Sequence, residues 1–132
     1  MRLYLDTNAL VYLVTDGSQS GMEADLRDVL FDYSTTLMTS TVCVQELLHL
    51  IHIGKVKTGH RKDVLESAMD VLATMDEKGI NIVPVSRKHL ERMATLPIYD
   101  DHRDPNDRLI VAQAISDRIP LVSSDRKFKR YE

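Results

Sequence analysis

The sequence has little of what several classes of protein need. A single cysteine, Cys43, among 132 residues excludes an intramolecular disulfide and a zinc site built from cysteines. Glycine is scarce, at five residues, and no glycine-rich phosphate loop is present. No apolar run approaches the length of a membrane span, and no signal peptide precedes the first predicted strand. We therefore expect a protein of the reducing cytoplasm with no membrane association.

Neither sign of charge dominates the chain. Lysine and arginine number 17 against 20 aspartate and glutamate residues, which gives a net charge of −3. Proteins that coat nucleic acid without sequence preference are usually basic, so this class is disfavoured, whereas a nuclease is not. Basic residues cluster at 55–62 and at 126–130, and each cluster is either a solvated surface segment or a rim that contacts phosphate. The chain length predicts one domain, residues 1–132.

Apolar residues change between strand-like and helix-like spacing along the chain. The pattern predicts strands at 2–6, 36–39, 80–84 and 119–122, and helices at 8–14, 22–33, 41–53, 64–78, 86–95 and 105–117. Short strands separated by helices are typical of an α/β fold with a largely parallel sheet. In such sheets, binding sites form beyond the carboxyl ends of the strands.

Acidic residues recur where this topology would bring them to one edge of the sheet. The four that we place there are Asp6, Glu46, Asp107 and Asp125. Asp6 ends the first strand and Asp125 follows the last, while Glu46 and Asp107 lie near the starts of helices that begin at the same edge. Because converging carboxylates repel one another, a fold that gathers four must protonate some of them or hold a cation. Mg²⁺ and Mn²⁺ prefer oxygen ligands, so the pattern predicts a site for one of these ions.

Each acid also has an ordinary structural interpretation. Asp104 is better explained as the N-cap of the helix that starts after it than as a metal ligand, whereas for Asp107 we favour ligation. Glu46 alone would be an exposed helix glutamate, and Asp125 alone a turn residue. Asp6 is harder to explain in this way, because a carboxylate that ends a buried strand is costly without a partner. Taken together, the acids favour a metal site.

Other residue types give weaker signals. The five histidines show no spacing typical of a metal site, and Cys43 is best explained as a small buried hydrophobic residue. Arg103 and Arg108 flank the acids at 104 and 107. Ion pairing with those acids and contact with a substrate phosphate both explain the two arginines, and the sequence does not separate these roles.

Four segments carry the most informative motifs. They are Leu5-Asp6-Thr7-Asn8, Ser40-Thr41-Val42-Cys43-Val44-Gln45-Glu46-Leu47, His102-Arg103-Asp104-Pro105-Asn106-Asp107-Arg108 and Leu121-Val122-Ser123-Ser124-Asp125-x-x-Phe128. Together they resemble the PIN-domain family and, within it, the VapC-type toxins of toxin–antitoxin pairs. The third is similar to the His-Arg-Asp-Pro-Phe-Asp-Arg signature of one branch, with Asn106 in place of the aromatic residue. Ser123 stands where a threonine is usual and keeps the hydroxyl group.

The resemblance implies a fold, an activity and partners. The implied fold is a three-layer α/β/α sandwich around a largely parallel sheet of four to five strands. The implied activity is Mg²⁺- or Mn²⁺-dependent endoribonuclease cleavage of single-stranded or looped RNA, with Asp6, Glu46, Asp107 and Asp125 as catalytic metal ligands. Supporting roles fall to Asn8, Asp104 and Ser123. The implied partners are a cognate antitoxin protein and a second copy of the chain in a homodimer.

Two alternatives stay open at this point. A catalytically silent PIN-like module that binds RNA or protein would carry the same acids without cleaving RNA. A phospho-receiver-type signalling domain is also an α/β fold with an acidic pocket, but it would need paired acids after the first strand, where this sequence has Asp6 alone.

Overall fold

A computed structural model describes residues 1–15, 34–56, 63–99 and 104–123. The strands are β1 (Arg2–Leu5), β2 (Thr36–Ser40), β3 (Asn81–Val83) and β4 (Leu121–Val122). The helices are α1 (Thr7–Val14), α2 (Thr41–His52), α3 (Val64–Glu77), α4 (Arg87–Thr95) and α5 (Pro105–Asp117). The predicted helix at 22–33, Arg103 and Asp125 lie outside the described residues. Across the described ranges, no helix has both the length and the apolar character that crossing a membrane would require.

The four strands form one sheet in the order β3-β2-β1-β4, and every neighbouring pair is parallel. Leu5 lies opposite Thr39 of β2 on one side and Val122 of β4 on the other. Helices flank this sheet, so the predicted α/β fold with a central parallel sheet is confirmed. Because parallel strands all point the same way, their carboxyl ends meet at one edge of the sheet.

The core lies between the sheet and the helices. Its largest fully buried apolar side chains are Leu5, Leu10, Leu13, Leu47 and Met75. They come from β1, α1, α2 and α3, so the apolar spacing of each element is directed to one shared interior. This packing holds the helices against the sheet and therefore sets where their first turns lie.

Helix and strand boundaries depart from the predicted ones by one or two residues. The first strand ends at Leu5 rather than at Asp6, because Asp6 is the N-cap of α1 and accepts a 2.8 Å hydrogen bond from the Ala9 amide. β3 starts at Asn81 because the amide of Ile80 instead bonds the Met75 carbonyl at the end of α3. The last helix agrees with its prediction at both ends, residues 105–117.

The two antiparallel helices α4 and α5 are tied together at both ends. At one end, the Arg108 guanidinium donates to the carbonyl oxygens of Met93 (3.3 Å) and Leu96 (3.0 Å). At the other end, Asp117 accepts from Lys88 (2.8 Å) and from the buried His89 (2.9 Å). These contacts hold the start of α5 in place relative to the rest of the fold.

Asp117 also accepts a 2.5 Å hydrogen bond from the hydroxyl of Tyr4 on β1. Burial acts to raise the pKa of the Asp117 carboxyl, but the hydrogen bonds from Lys88, Tyr4 and His89 outweigh it and lower that pKa from 3.8 to about 2. Burial and the Asp117 contact raise the pKa of Tyr4 to about 12. Asp117 ends α5, so this network lies about 20 Å from the start of that helix and serves the fold.

A candidate metal centre at the carboxyl edge of the sheet

Three carboxylates converge where α2 and α5 begin. One side-chain oxygen from each of Glu46, Asp104 and Asp107 lies within 4.8 Å of the other two. Glu46 and Asp107 are half-buried and Asp104 is exposed. The group therefore opens to solvent on one side, which would allow an ion and a substrate to enter.

The fold explains why these three residues meet. α2 begins directly after β2, and the hydroxyl of its N-cap Ser40 accepts from the Val42 amide at 3.1 Å. Glu46 follows within the next turn and so stays near the carboxyl edge. Asp104 and Asp107 are three positions apart at the N-terminus of α5, a spacing that puts both on one side of the helix. The partial positive charge at that N-terminus favours carboxylates there.

Asp104 combines the two roles that the sequence left in competition. Its side chain is the N-cap of α5 and accepts a 2.8 Å hydrogen bond from the Asn106 amide. One of its oxygens is also a member of the converging group. A cap needs one acceptor position and a carboxylate offers about four, so the capping bond does not prevent metal ligation.

Asp6 lies at the same edge, at the end of β1, and is 4% exposed. Its Oδ1 accepts from the Ala9 amide at 2.8 Å, and its Oδ2 accepts from the Ser123 hydroxyl at 2.5 Å. A buried carboxylate needs such donors to remain ionised, and both are supplied by backbone and side-chain groups at the edge of the sheet. The Asp6 side chain is therefore held in a single orientation.

Thr7 connects Asp6 to the converging acids. It is the first residue of α1, and its hydroxyl donates a 2.5 Å hydrogen bond to Oε2 of Glu46. The family resemblance implied supporting roles for Asn8 and Ser123 and gave no role to Thr7. The available signal was a hydroxyl residue immediately after a strand-ending acid, but its partner, 39 positions away, follows only from the packing of α1 on α2.

The other predicted site residues have varied surroundings. Asn8 is exposed on the first turn of α1, and Ser123 contacts Asp6. The Arg108 guanidinium is engaged with carbonyl groups of α4, and its Nε atom is buried without a hydrogen-bond partner among the described residues. The functional roles of these residues, and those of Arg103 and Asp125 outside the described ranges, stay predictions.

The converging group fits a small divalent cation by its chemistry and its spacing. All three donors are carboxylate oxygens, the ligands that Mg²⁺ and Mn²⁺ prefer. Ligands at about 2.1 Å from one ion lie within about 4.2 Å of each other, so small side-chain rotations suffice to reach that spacing. At 4.8 Å, two carboxylates repel by roughly 3 kcal/mol at an effective dielectric of 20, and less where solvent reaches them. A bound cation would relieve this repulsion.

Cys43 is a buried residue in the first turn of α2, before Glu46, and does not take part in the chemistry of the site. It is fully buried, and its Sγ contacts the Leu5 carbonyl oxygen at 3.5 Å. Burial raises the pKa of the Cys43 thiol to about 12, against the opposing effect of hydrogen bonds from Thr39 and Thr7, and the Asp6 charge raises it further. The thiol is therefore protonated at neutral pH and is neither a nucleophile nor a metal ligand.

Comparisons with known proteins agree with this architecture. The sequence matches the PIN domain model over residues 3–132, so the chain belongs to the PIN domain family. VapBC2 from Rickettsia felis, solved bound to a DNA fragment from its promoter, is similar in structure with a TM-score of 0.67. Its sequence identity is 21%, over 99% of this chain and 93% of that chain.

A second similar structure is VapBC-1 from nontypeable Haemophilus influenzae, with a TM-score of 0.65 and 17% identity over 99% of this chain and 92% of that one. At these identities the likeness shows a shared fold and no more. No curated protein matches the sequence.

Proposed function

We propose that this PIN domain is an Mg²⁺- or Mn²⁺-dependent endoribonuclease and the toxin of a VapBC-type toxin–antitoxin pair. The observation that carries the proposal is the convergence of Glu46, Asp104 and Asp107 beside the buried Asp6. PIN membership supports nuclease chemistry, and the acids lie at the edge of a parallel sheet where such sites form.

In this proposal the acids have distinct tasks. Glu46, Asp104 and Asp107 hold the cation, and Asp6 and Asp125 complete its surroundings. The cation, when bound, would activate water and offset negative charge on the scissile phosphate. The second oxygen of Glu46, Oε1, contacts no hydrogen-bond donor among the described residues and is therefore the oxygen available to the cation. Ser123 keeps Asp6 in its orientation.

The proposed substrate is single-stranded or looped RNA. A site at the edge of a sheet reaches the phosphate of a splayed strand more easily than one within an A-form helix. Because the guanidinium of Arg108 is engaged with Met93 and Leu96, we assign it the positioning of α5. Contact with the substrate phosphate then falls to Arg103.

The proposed partners are a cognate antitoxin and a second copy of the chain. Both similar structures described above are VapBC toxin–antitoxin complexes, which supports an antitoxin partner. The homodimer rests on the family resemblance alone. We place the protein in the cytoplasm, where its RNA substrate and a reduced Cys43 are both expected.

An assay of metal-dependent RNA cleavage tests the proposal. The purified protein should cleave mixed RNA on addition of Mn²⁺ or Mg²⁺ and stop when the ion is chelated. Glu46→Gln and Asp107→Asn should each lower the rate by more than the roughly 10–100-fold that loss of an outer-shell partner costs. Matched changes on α3, Glu77→Gln and Asp76→Asn, should leave it unchanged.

Two results would contradict the proposal in different ways. Cleavage that persists in Asp107→Asn and under chelation would show that the acids do not carry the reaction. Uptake of Mn²⁺ without any cleavage of RNA would instead favour the catalytically silent binding module.

A further inference from the structure

The hydrogen bond from Thr7 engages only one of the two carboxylate oxygens of Glu46. The Thr7 hydroxyl donates to Oε2 at 2.5 Å, whereas Oε1 contacts no hydrogen-bond donor among the described residues. One lone pair of Oε2 is therefore committed to the protein. Oε1 is therefore the less engaged oxygen of Glu46, and one carboxylate oxygen of this residue belongs to the group formed with Asp104 and Asp107.

The donor in this contact is held rigidly. Thr7 is the first residue of α1, which is capped by the Asp6 side chain, and the Asp6 carbonyl also accepts from the Leu10 amide at 2.9 Å. Asp6 in turn is fixed by Ser123. The acceptor is anchored as well, because α2, which carries Glu46, begins at the N-cap Ser40, whose hydroxyl accepts from the Val42 amide at 3.1 Å. A hydroxyl held in this way restricts the rotation of the Glu46 carboxylate.

We propose that Thr7 is a positioning residue that makes Glu46 present one oxygen to the cation and thereby sets which cation the site prefers. This inference rests on the proposed metal-dependent function. Mg²⁺ and Mn²⁺ take six ligands in a compact octahedron and keep several waters, so one oxygen per carboxylate suits them. Ca²⁺ is larger and accepts carboxylates through both oxygens. A hydroxyl that occupies Oε2 therefore favours the smaller ions.

The test measures ion binding directly, without activity. Mn²⁺ binding is followed by calorimetry on the metal-free protein, and Ca²⁺ is then titrated as a competitor. Thr7→Val removes the donor at nearly constant volume, Thr7→Ser keeps it, and Thr74→Val on α3 removes a comparable hydroxyl bond, to the Asp70 carbonyl, away from the site. Each variant is also made in a Glu46→Ala background.

We expect Thr7→Val to weaken Mn²⁺ binding by about tenfold and to shift the preference towards Ca²⁺ by a similar factor. Thr7→Ser and Thr74→Val should behave as the unchanged protein does. In the Glu46→Ala background, Thr7→Val should have no further effect, because its partner is already gone. Should the valine variant fail to fold, Thr7→Ala also removes the hydroxyl and is used for the same binding measurements.

The outcomes separate this inference from the function on which it rests. Equal Mn²⁺ and Ca²⁺ binding by Thr7→Val and the unchanged protein would overturn the role of Thr7 alone. An equal loss of Mn²⁺ binding with and without Glu46 would overturn it too, since Thr7 would not act through that residue. A folded, unchanged protein that takes up no Mn²⁺ would overturn the metal-dependent function and this inference together.

Discussion

The Ser123 hydroxyl donates a hydrogen bond to the carboxylate of Asp6, 117 positions earlier in the chain. The two residues are level because β4 pairs in parallel with β1, with Leu5 opposite Val122 and the Asp6 amide bonded to the Val122 carbonyl at 3.2 Å. The last described residue of the chain thus contacts an acid near its beginning. Several measurements follow from this arrangement and from the acids around it.

Ser123→Ala should destabilise the fold by about 1–3 kcal/mol, because it removes a hydrogen bond to the buried carboxylate of Asp6. Ser123→Thr should retain the bond and the stability. Urea unfolding followed by circular dichroism measures the difference. Ser116→Ala on α5 is the matched control and should change the free energy of unfolding by no more than about 0.5 kcal/mol. An equal effect of the two alanine variants would argue against the Asp6 contact.

Asp6→Asn should abolish metal-dependent cleavage while leaving the fold intact. Asparagine caps helices about as well as aspartate does, so α1 keeps its N-cap, and the repulsion between acids falls. Asp6→Ala should be inactive and should also lose about 1 kcal/mol of stability with the cap. Cleavage assays combined with thermal unfolding of both variants separate the two effects. Full activity in Asp6→Asn would exclude a catalytic role for this carboxylate.

Mg²⁺ should stabilise the protein against unfolding. An ion that binds only the folded state adds about 1.4 kcal/mol at ten times its dissociation constant, so the unfolding midpoint should rise with Mg²⁺ and fall back on chelation. Asp107→Asn should remove this response, whereas Asp76→Asn on α3 should keep it. A midpoint that rises equally in both variants would mean that the ion binds elsewhere.

Asp117 should give the stability a specific pH dependence. Its pKa is about 2 in the fold against 3.8 ordinarily, so the unfolded chain takes up the proton first as the pH falls. The stabilisation is therefore fully present above pH 3.8 and is lost as the pH falls towards 2. We expect it to contribute about 1–2 kcal/mol to the free energy of unfolding, less than the full pKa shift would give, because Lys88 is largely exposed to solvent. Asp117→Asn should be less stable at pH 7 and lose less stability on acidification to pH 3. Urea titrations of both proteins at pH 7 and pH 3 measure the free energy of unfolding. An equal loss of this free energy between the two pH values in both proteins would refute the prediction.

Short-range patterns accounted for most of the fold. The helix at 105–117 was predicted to the residue, because Asp104 and Pro105 start it by local capping chemistry that needs no tertiary contact. The start of β3 is not set by local chemistry in the same way, since whether Ile80 extends a strand or closes a helix depends on which hydrogen bond its amide makes. The predicted boundaries at Asp6 and Ile80 were wrong for this reason.

The sequence by itself determined the α/β class, the parallel order of its elements and the edge at which acidic residues would gather. Those properties follow from hydrophobic periodicity and chain connectivity, which are local in origin. Only the tertiary structure decided which acids converge, with Asp104 joining Glu46 and Asp107 while Asp6 is held by Ser123. It alone also showed Thr7 as the donor to Glu46. Distances of a few ångströms between side chains depend on how helices pack against one another, and no spacing along the chain encodes them.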